Sequence, residues 1–266
     1  MKLRSLCTAA LVAGILVAST GGAAQAFAAP GELDSTGTVT VDEGGTNGKD
    51  KTPDPEKPDE KLPEHPEIPT NPDAGALIID QVSNLSFGNI STDSKEIKKY
   101  AAAIDLSKAT PAGTGTRGAI VGWTDVRGGA TVGYTVTAEL TQQFTGSATN
   151  ATTLANSTIT YSNGMAVPDG ANKNTVPSNV LNGFELAYQG GAKTVVTADK
   201  ANKEGKGTYV LEFGQSADYK PGTGAPAGAP GTDAKSVQLT VPATTASNMV
   251  LDTYTAKVTW KIVAAA

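Results

Sequence analysis

Through much of this chain apolar residues recur at every second position, and only a strand places such residues together on one face. Val132, Tyr134, Val136, Ala138 and Leu140 alternate with Thr131, Gly133, Thr135, Thr137 and Glu139. The same period runs through Tyr209–Phe213, Val237–Val241 and Tyr254–Ile262, and weaker strands are predicted at Leu77–Val82, Ala119–Thr124, Thr158–Tyr161, Phe184–Tyr188 and Thr194–Thr197. Gly-, Pro- and Asn-rich breaks separate them, as at Pro111–Gly115 and Pro221–Gly231. Half-buried strands with such turns predict an all-β fold, an antiparallel β-sandwich or a Greek-key barrel-like domain, over residues 74–266. Lys95–Leu106 is the one stretch that favours helix, although a strand through Tyr100, Ala102 and Ile104 fits it equally.

The N-terminal part reads differently. A basic start at Met1–Arg4, an apolar run over Leu6–Val17 and small residues around Ala24–Ala29 make a secretory signal peptide over residues 1–28. The apolar run is shorter than the ~20 residues a membrane span needs, and no later segment is apolar enough for a transmembrane anchor. Cys7 is the only cysteine and would leave with the signal, so the mature domain must rely on its core rather than on disulfides. Residues 30–73 carry twelve acids against four Lys/Arg, whereas residues 74–266 are close to neutral. Seven of the fifteen prolines fall between Lys51 and Asp73. Residues 29–73 therefore read as a disordered, acidic, Pro-rich linker, with the proline stretch as an extended spacer. The last predicted strand lies four residues from the end of the sequence, so retention at a surface would fall to the folded domain.

Little here suggests catalysis. His65 is the sole histidine and lies between prolines in the linker, which leaves a Ser-His-Asp triad and a histidine metal cluster without their central residue. No phosphate-cradling loop, no calcium loop and no basic stripe for nucleic acid is present, and no cofactor or metal is expected. A glycosidase needs only two carboxylates, and Asp80, Asp105, Asp125, Glu139, Glu185, Glu212 and Asp252 are available. Most of them sit on the polar face of a strand, where solvation is the ordinary state. The most distinctive polar cluster is Asp125-Val126-Arg127-Gly128-Gly129, in which Arg127 offers a planar fork before a glycine turn. A structural turn and ion pair is the competing reading.

Five segments in order resemble the WxL-domain proteins of Gram-positive bacteria. They are Leu85–Ile90 (LSFGNI), Trp123–Gly128 (WTDVRG), Gly207–Gly214 (GTYVLEFG), Val237–Pro242 (VQLTVP) and Tyr254–Ile262 (YTAKVTWKI). The family carries two W-x-L tripeptides. Here the distal one is Tyr134-Thr135-Val136 and the proximal one Trp260-Lys261-Ile262. The resemblance implies an exported, non-enzymatic protein bound non-covalently to the peptidoglycan-containing wall, in complexes with other surface proteins. Candidate wall contacts are Arg127, Asp125, Tyr134, Trp260, Lys257 and Lys261. Strand geometry argues for packing at the motif, since Trp260 and Ile262 share the apolar face of Tyr254 and Val258, while Thr135, Lys257, Thr259 and Lys261 face solvent. A protein-binding adhesin or surface-complex subunit is the alternative, and a polysaccharide-processing enzyme a more distant one.

Overall fold

A computed structural model describes residues 35–45, 52–129, 133–148 and 152–265. The chain divides into two units, Met1–Val41 and Asp42–Ala266. Of the first, residues 35–41 are described and carry no regular secondary structure. The predicted signal peptide and Val132 lie outside the described residues.

The second unit opens with two short strands, β1 (Pro53–Asp54) and β2 (Lys57–Lys61), followed by β3 (Leu77–Val82), β4 (Ile97–Tyr100), β5 (Ile104–Asp105), β6 (Thr116–Arg117) and β7 (Ala119–Asp125). Next come β8 (Tyr134–Gly146), β9 (Thr158–Tyr161), β10 (Gly164–Pro168), β11 (Asn179–Val180), β12 (Phe184–Ala187) and β13 (Lys193–Ala198). The chain closes with β14 (Gly207–Phe213), β15 (Val237–Val241), the six-residue helix α1 (Ala243–Asn248) and β16 (Tyr254–Ala264). The 95–106 stretch is strand, then a single 3-10 turn capped by Asp105, so its helix propensity yields to pairing of β4 with β15.

The strands build three four-stranded antiparallel sheets, ordered β10-β14-β7-β3, β11-β13-β8-β16 and β12-β9-β15-β4, and no barrel closes. The all-β expectation holds, in its open-sheet form. All three sheets feed one core. Trp123, Tyr209 and Phe213 come from the first, Tyr134, Val136, Ala138 and Leu140 from the second, and Ile159, Tyr161, Leu186 and Leu239 from the third. The 13-residue β8 is bonded to β13 on one side and β16 on the other. Register sets Trp260 opposite Ala138 and Ile262 opposite Val136.

The first sheet is buried on both faces, which corrects two sequence readings. Residues 52–73 are not a free spacer but a strap across the outer face of β7 and β14. Leu62 and Ile68 pack there with Ile120, Val210, Met165 and Val167 in a second apolar cluster. A side chain at Gly122 would strike Thr52 at 2.7 Å, so the glycine admits the strap. The prolines suit a segment with few ladder bonds, and backbone groups in it bond one at a time: Leu62 N–H donates to Thr52 O at 3.0 Å and Asn84 N–H to Glu67 O at 2.8 Å. His65 is likewise held, with Nε2 against Asp105 O at 3.0 Å and Nδ1 accepting from Glu67 N–H at 3.0 Å. The folded unit thus starts near Asp42 rather than at Ala74. The second correction concerns the acids on the polar faces of β3, β7 and β14. Asp80 and Glu212 are buried because the outer face is covered rather than solvated, and Asp125 is buried on the core side, in line with Trp123.

Candidate functional site

The predicted contacts separate into two places. Asp125, Arg127 and Tyr134 gather at one end of β7 and β8. Arg127 Nε and NH2 each reach an Asp125 carboxylate oxygen at 2.9 Å, and NH2 also donates to Gly133 O at 3.0 Å. Lys206 Nζ donates to Arg127 O and lies 3.9 Å from Asp125. Asp125 is fully buried, and its hydrogen bonds raise the guanidinium further from deprotonation. Arg127 is therefore spent on clamping the turn, which is the turn-and-ion-pair reading of the sequence rather than the outward fork.

Tyr134 is also fully buried. Its hydroxyl accepts from Trp123 Nε1 at 2.6 Å and donates to Gly205 O at 3.2 Å. Burial drives its ionisation far upward. Trp123 stacks on Tyr209 with centroids 5.7 Å apart and planes 17° from parallel. The distal motif is a packing device whose tryptophan partner, Trp123, lies eleven residues earlier on the facing strand.

The proximal motif is placed differently. Trp260 packs on the aromatic core, 5.9 Å from the Tyr161 ring and 6.1 Å from that of Phe184, yet keeps part of its surface open. The fully packed position expected for it is thus only half filled. It forms part of the wall of a groove of about 920 Å³. One bank is the extended 84–92 segment, the other the 249–260 stretch that includes the start of β16, with Phe144, Ile159, Tyr161 and Leu239 beneath. The first bank is tied at its ends, by Asn84 N–H to Glu67 O and Asp93 N–H to Ala246 O at 3.3 Å, and Ala102 N–H donates to Ser86 O between them. Gly88 turns it with φ near 61°. Phe87 meets Phe144 edge-on at 5.9 Å.

Lys257 borders the groove, whereas Lys261 lies outside it on the solvent face beside Thr137. Of the seven acids named from sequence, Asp252 alone lines the groove. Its carboxylate accepts from Ser147 Oγ at 2.6 Å and Ala148 N–H at 3.0 Å, bonds that hold its ionisation below the usual carboxylate range. No pair of carboxylates therefore faces this cleft among the described residues. Nor do they contain a group of three potential metal ligands, or a helix long and apolar enough to cross a membrane.

One buried constellation escaped the sequence reading. Arg117 donates through Nε and NH2 to Asp54 at 2.7 and 2.6 Å and stands 3.4 Å from Glu56. Glu56 in turn accepts from Ser216 N–H and Oγ. Glu212 accepts from Gly118 N–H at 3.0 Å through Oε1, while its Oε2 has no partner. A charged residue at a two-residue strand gives no sequence signal for an ion pair 63 positions away.

No curated protein and no solved structure matches the chain. A family model described as WxL domain, surface cell wall-binding, matches residues 28–265. The match takes in the strap as well as the sheets, in line with one folded unit, and the description is of binding rather than of a reaction. The chain belongs to the WxL family of surface cell wall-binding domains.

Proposed function

We propose that this protein is exported, loses residues 1–28, and is held non-covalently on the peptidoglycan-containing wall by the groove between the 84–92 segment and β16. The observation that carries this reading is the half-open Trp260 in an aromatic-floored groove large enough for a short run of sugar rings. Aromatic faces suit the C–H faces of pyranoses, and Ser86, Asn89, Thr253 and Thr255 supply hydroxyl and amide groups along the banks. The lining has one acid, Asp252, already engaged, and one lysine, Lys257. That balance favours a neutral glycan strand over a polyanion.

The test is sedimentation of the mature chain with stripped walls. It should pellet, stay bound in concentrated salt, and leave with denaturant at unchanged mass. Asn89→Trp places a bulky group at an exposed lining position, so it should abolish pelleting without moving the melting temperature. Pelleting that persists in this variant removes the groove from the function. Release by salt alone would move the contact to Lys257 and Lys261, where screening is expected.

A second reading, a protein partner in a surface complex, is favoured by a separate observation. β16 is an edge strand bonded to β8 alone, and Val250 and Leu251 beside it are 55% and 92% exposed. Such an edge can accept an added strand. A chain that fails to pellet with walls but is captured along β16 by an extended peptide would favour it.

A further inference from the structure

The outer face of the first sheet holds three carboxyl groups and one guanidinium in a nearly water-free space. Arg117, Asp54, Glu56 and Glu212 are each buried or nearly so. The cation faces β1 and its neighbour: both Asp54 oxygens are bound by Arg117, and Glu56 completes its shell. Glu212 comes from beneath, on β14, and its only hydrogen bond is from Gly118 N–H. The remaining facing group is the Tyr219 hydroxyl, which donates to Pro226 O at 2.7 Å. The neighbours of Glu212 across the sheet, Met165 and Ile120, are uncharged.

With Glu212 neutral, Arg117 has two anions to offset. A third anion would have no cation of its own, and a buried charge without a partner is costly. Burial, followed by the nearby Glu56, drives Glu212 well above the ordinary carboxyl range, in agreement with that geometry. Relief is available in one direction only. β7 and β14 are bonded along seven residue pairs, whereas the strap is held by isolated bonds, by Leu62 and Ile68 and by this cluster.

We propose that residues 52–62 are a proton-held latch, closed over the β7/β14 face while Glu212 is neutral and released when Glu212 gives its proton to water. Release carries Asp54 and Glu56 away from Glu212 and lets solvent reach it. It also withdraws Leu62 from Ile120 and Val210, which exposes an apolar face. The latch concerns the side of the sheet opposite the main core and does not rest on the groove.

Hydrogen exchange of the mature chain tests it, followed from about pH 5 to about pH 9 with each amide corrected for its intrinsic rate. The ratio of protection at Gly170 and Ser216, whose amides bond across to Pro58 O and Glu56 of the latch, to that of β8 amides should fall about tenfold or more in the wild type. In Glu212→Gln, which keeps the shape and cannot ionise, it should stay constant. A wild-type ratio that does not fall overturns the latch, and so does a Gln variant that follows the wild-type curve. If the variant does not fold, the wild-type profile decides: these latch-bonded amides and the β8 amides losing protection together would mean global unfolding, and the proposal fails.

Discussion

The Trp123 indole N–H donates to the Tyr134 hydroxyl at 2.6 Å in the buried core, and the hydroxyl in turn donates to Gly205 O at 3.2 Å. Tyr134→Phe leaves both the indole and the carbonyl unsatisfied. Each buried orphan costs about 1–3 kcal/mol, so chemical denaturation should show a loss in that range with an unchanged m-value. Wall pelleting of the folded fraction should not change, since neither ring reaches the surface.

Trp260 answers to a different expectation. Its ring stands among Tyr161, Phe184 and Phe213 but is only partly covered. Trp260→Ala should cost about 3 kcal/mol, the lower end for a large aromatic truncation. Wall pelleting should fall even below the unfolding temperature. Pelleting that tracks only the folded fraction would make Trp260 a packing residue and no more.

Arg127→Gln should destabilise rather than release. The substitution strands a fully buried Asp125, left with Lys206 at 3.9 Å and the backbone N–H of residue 127. Breaking one side of a buried pair costs about 3–5 kcal/mol. With Arg127 side-chain exposure at 17%, the lower part of that range is expected, read as a fall in melting temperature. A stable variant with weakened wall binding would instead return Arg127 to the contact surface.

A chain trimmed to residues 74–266 should fail to fold cooperatively. It loses Leu62 and Ile68 from the second cluster, about 1.5–3 kcal/mol each, together with the Arg117–Asp54 pair. Together these approach the 5–15 kcal/mol of a whole domain. Near-UV circular dichroism should show lost tertiary signal, and a chain starting at Asp42 should retain it.

Stability should also vary with pH through Glu212. Its folded-state proton affinity is raised, chiefly by burial. The folded chain therefore keeps a proton that the unfolded chain has released, and stability declines as pH climbs above the ordinary Glu range of about 4.3 until Glu212 itself ionises. Glu212→Gln should flatten that decline and melt higher at neutral and alkaline pH. An equal slope in both proteins would assign it to another group.

The strands were legible wherever one face met the core and the other met water. Thr158–Tyr161 coincides with β9 to the residue, its buried Ile159 and Tyr161 alternating with half-buried threonines, and Leu77–Val82 coincides with β3 although its Ile-Ile-Asp-Gln run does not alternate. β10 alternates buried Met165 and Val167 with half-buried neighbours, but its short Gly-Met-Ala-Val-Pro run has no polar residue to make that contrast legible. The strap was illegible for a related reason. Its prolines and charges are what an unstructured linker carries, and only the three-dimensional placement of Arg117 converts Asp54 and Glu56 into anchors. At the proximal motif, sequence correctly set Trp260 on the apolar side of β16. Whether that side is sealed depends on the 84–92 segment, whose distance from β16 no local pattern encodes.

Because the strap joins the sheets through a few point contacts while β7 and β14 share a continuous ladder, the two resist tension very differently. Force entering from the residues before Asp42 meets the Arg117–Asp54 pair and scattered backbone bonds before it loads any long strand pairing. Shear at a cell surface would therefore load the latch residues 52–62 before any four-stranded sheet, and they reseat on β7 and β14 when the flow subsides.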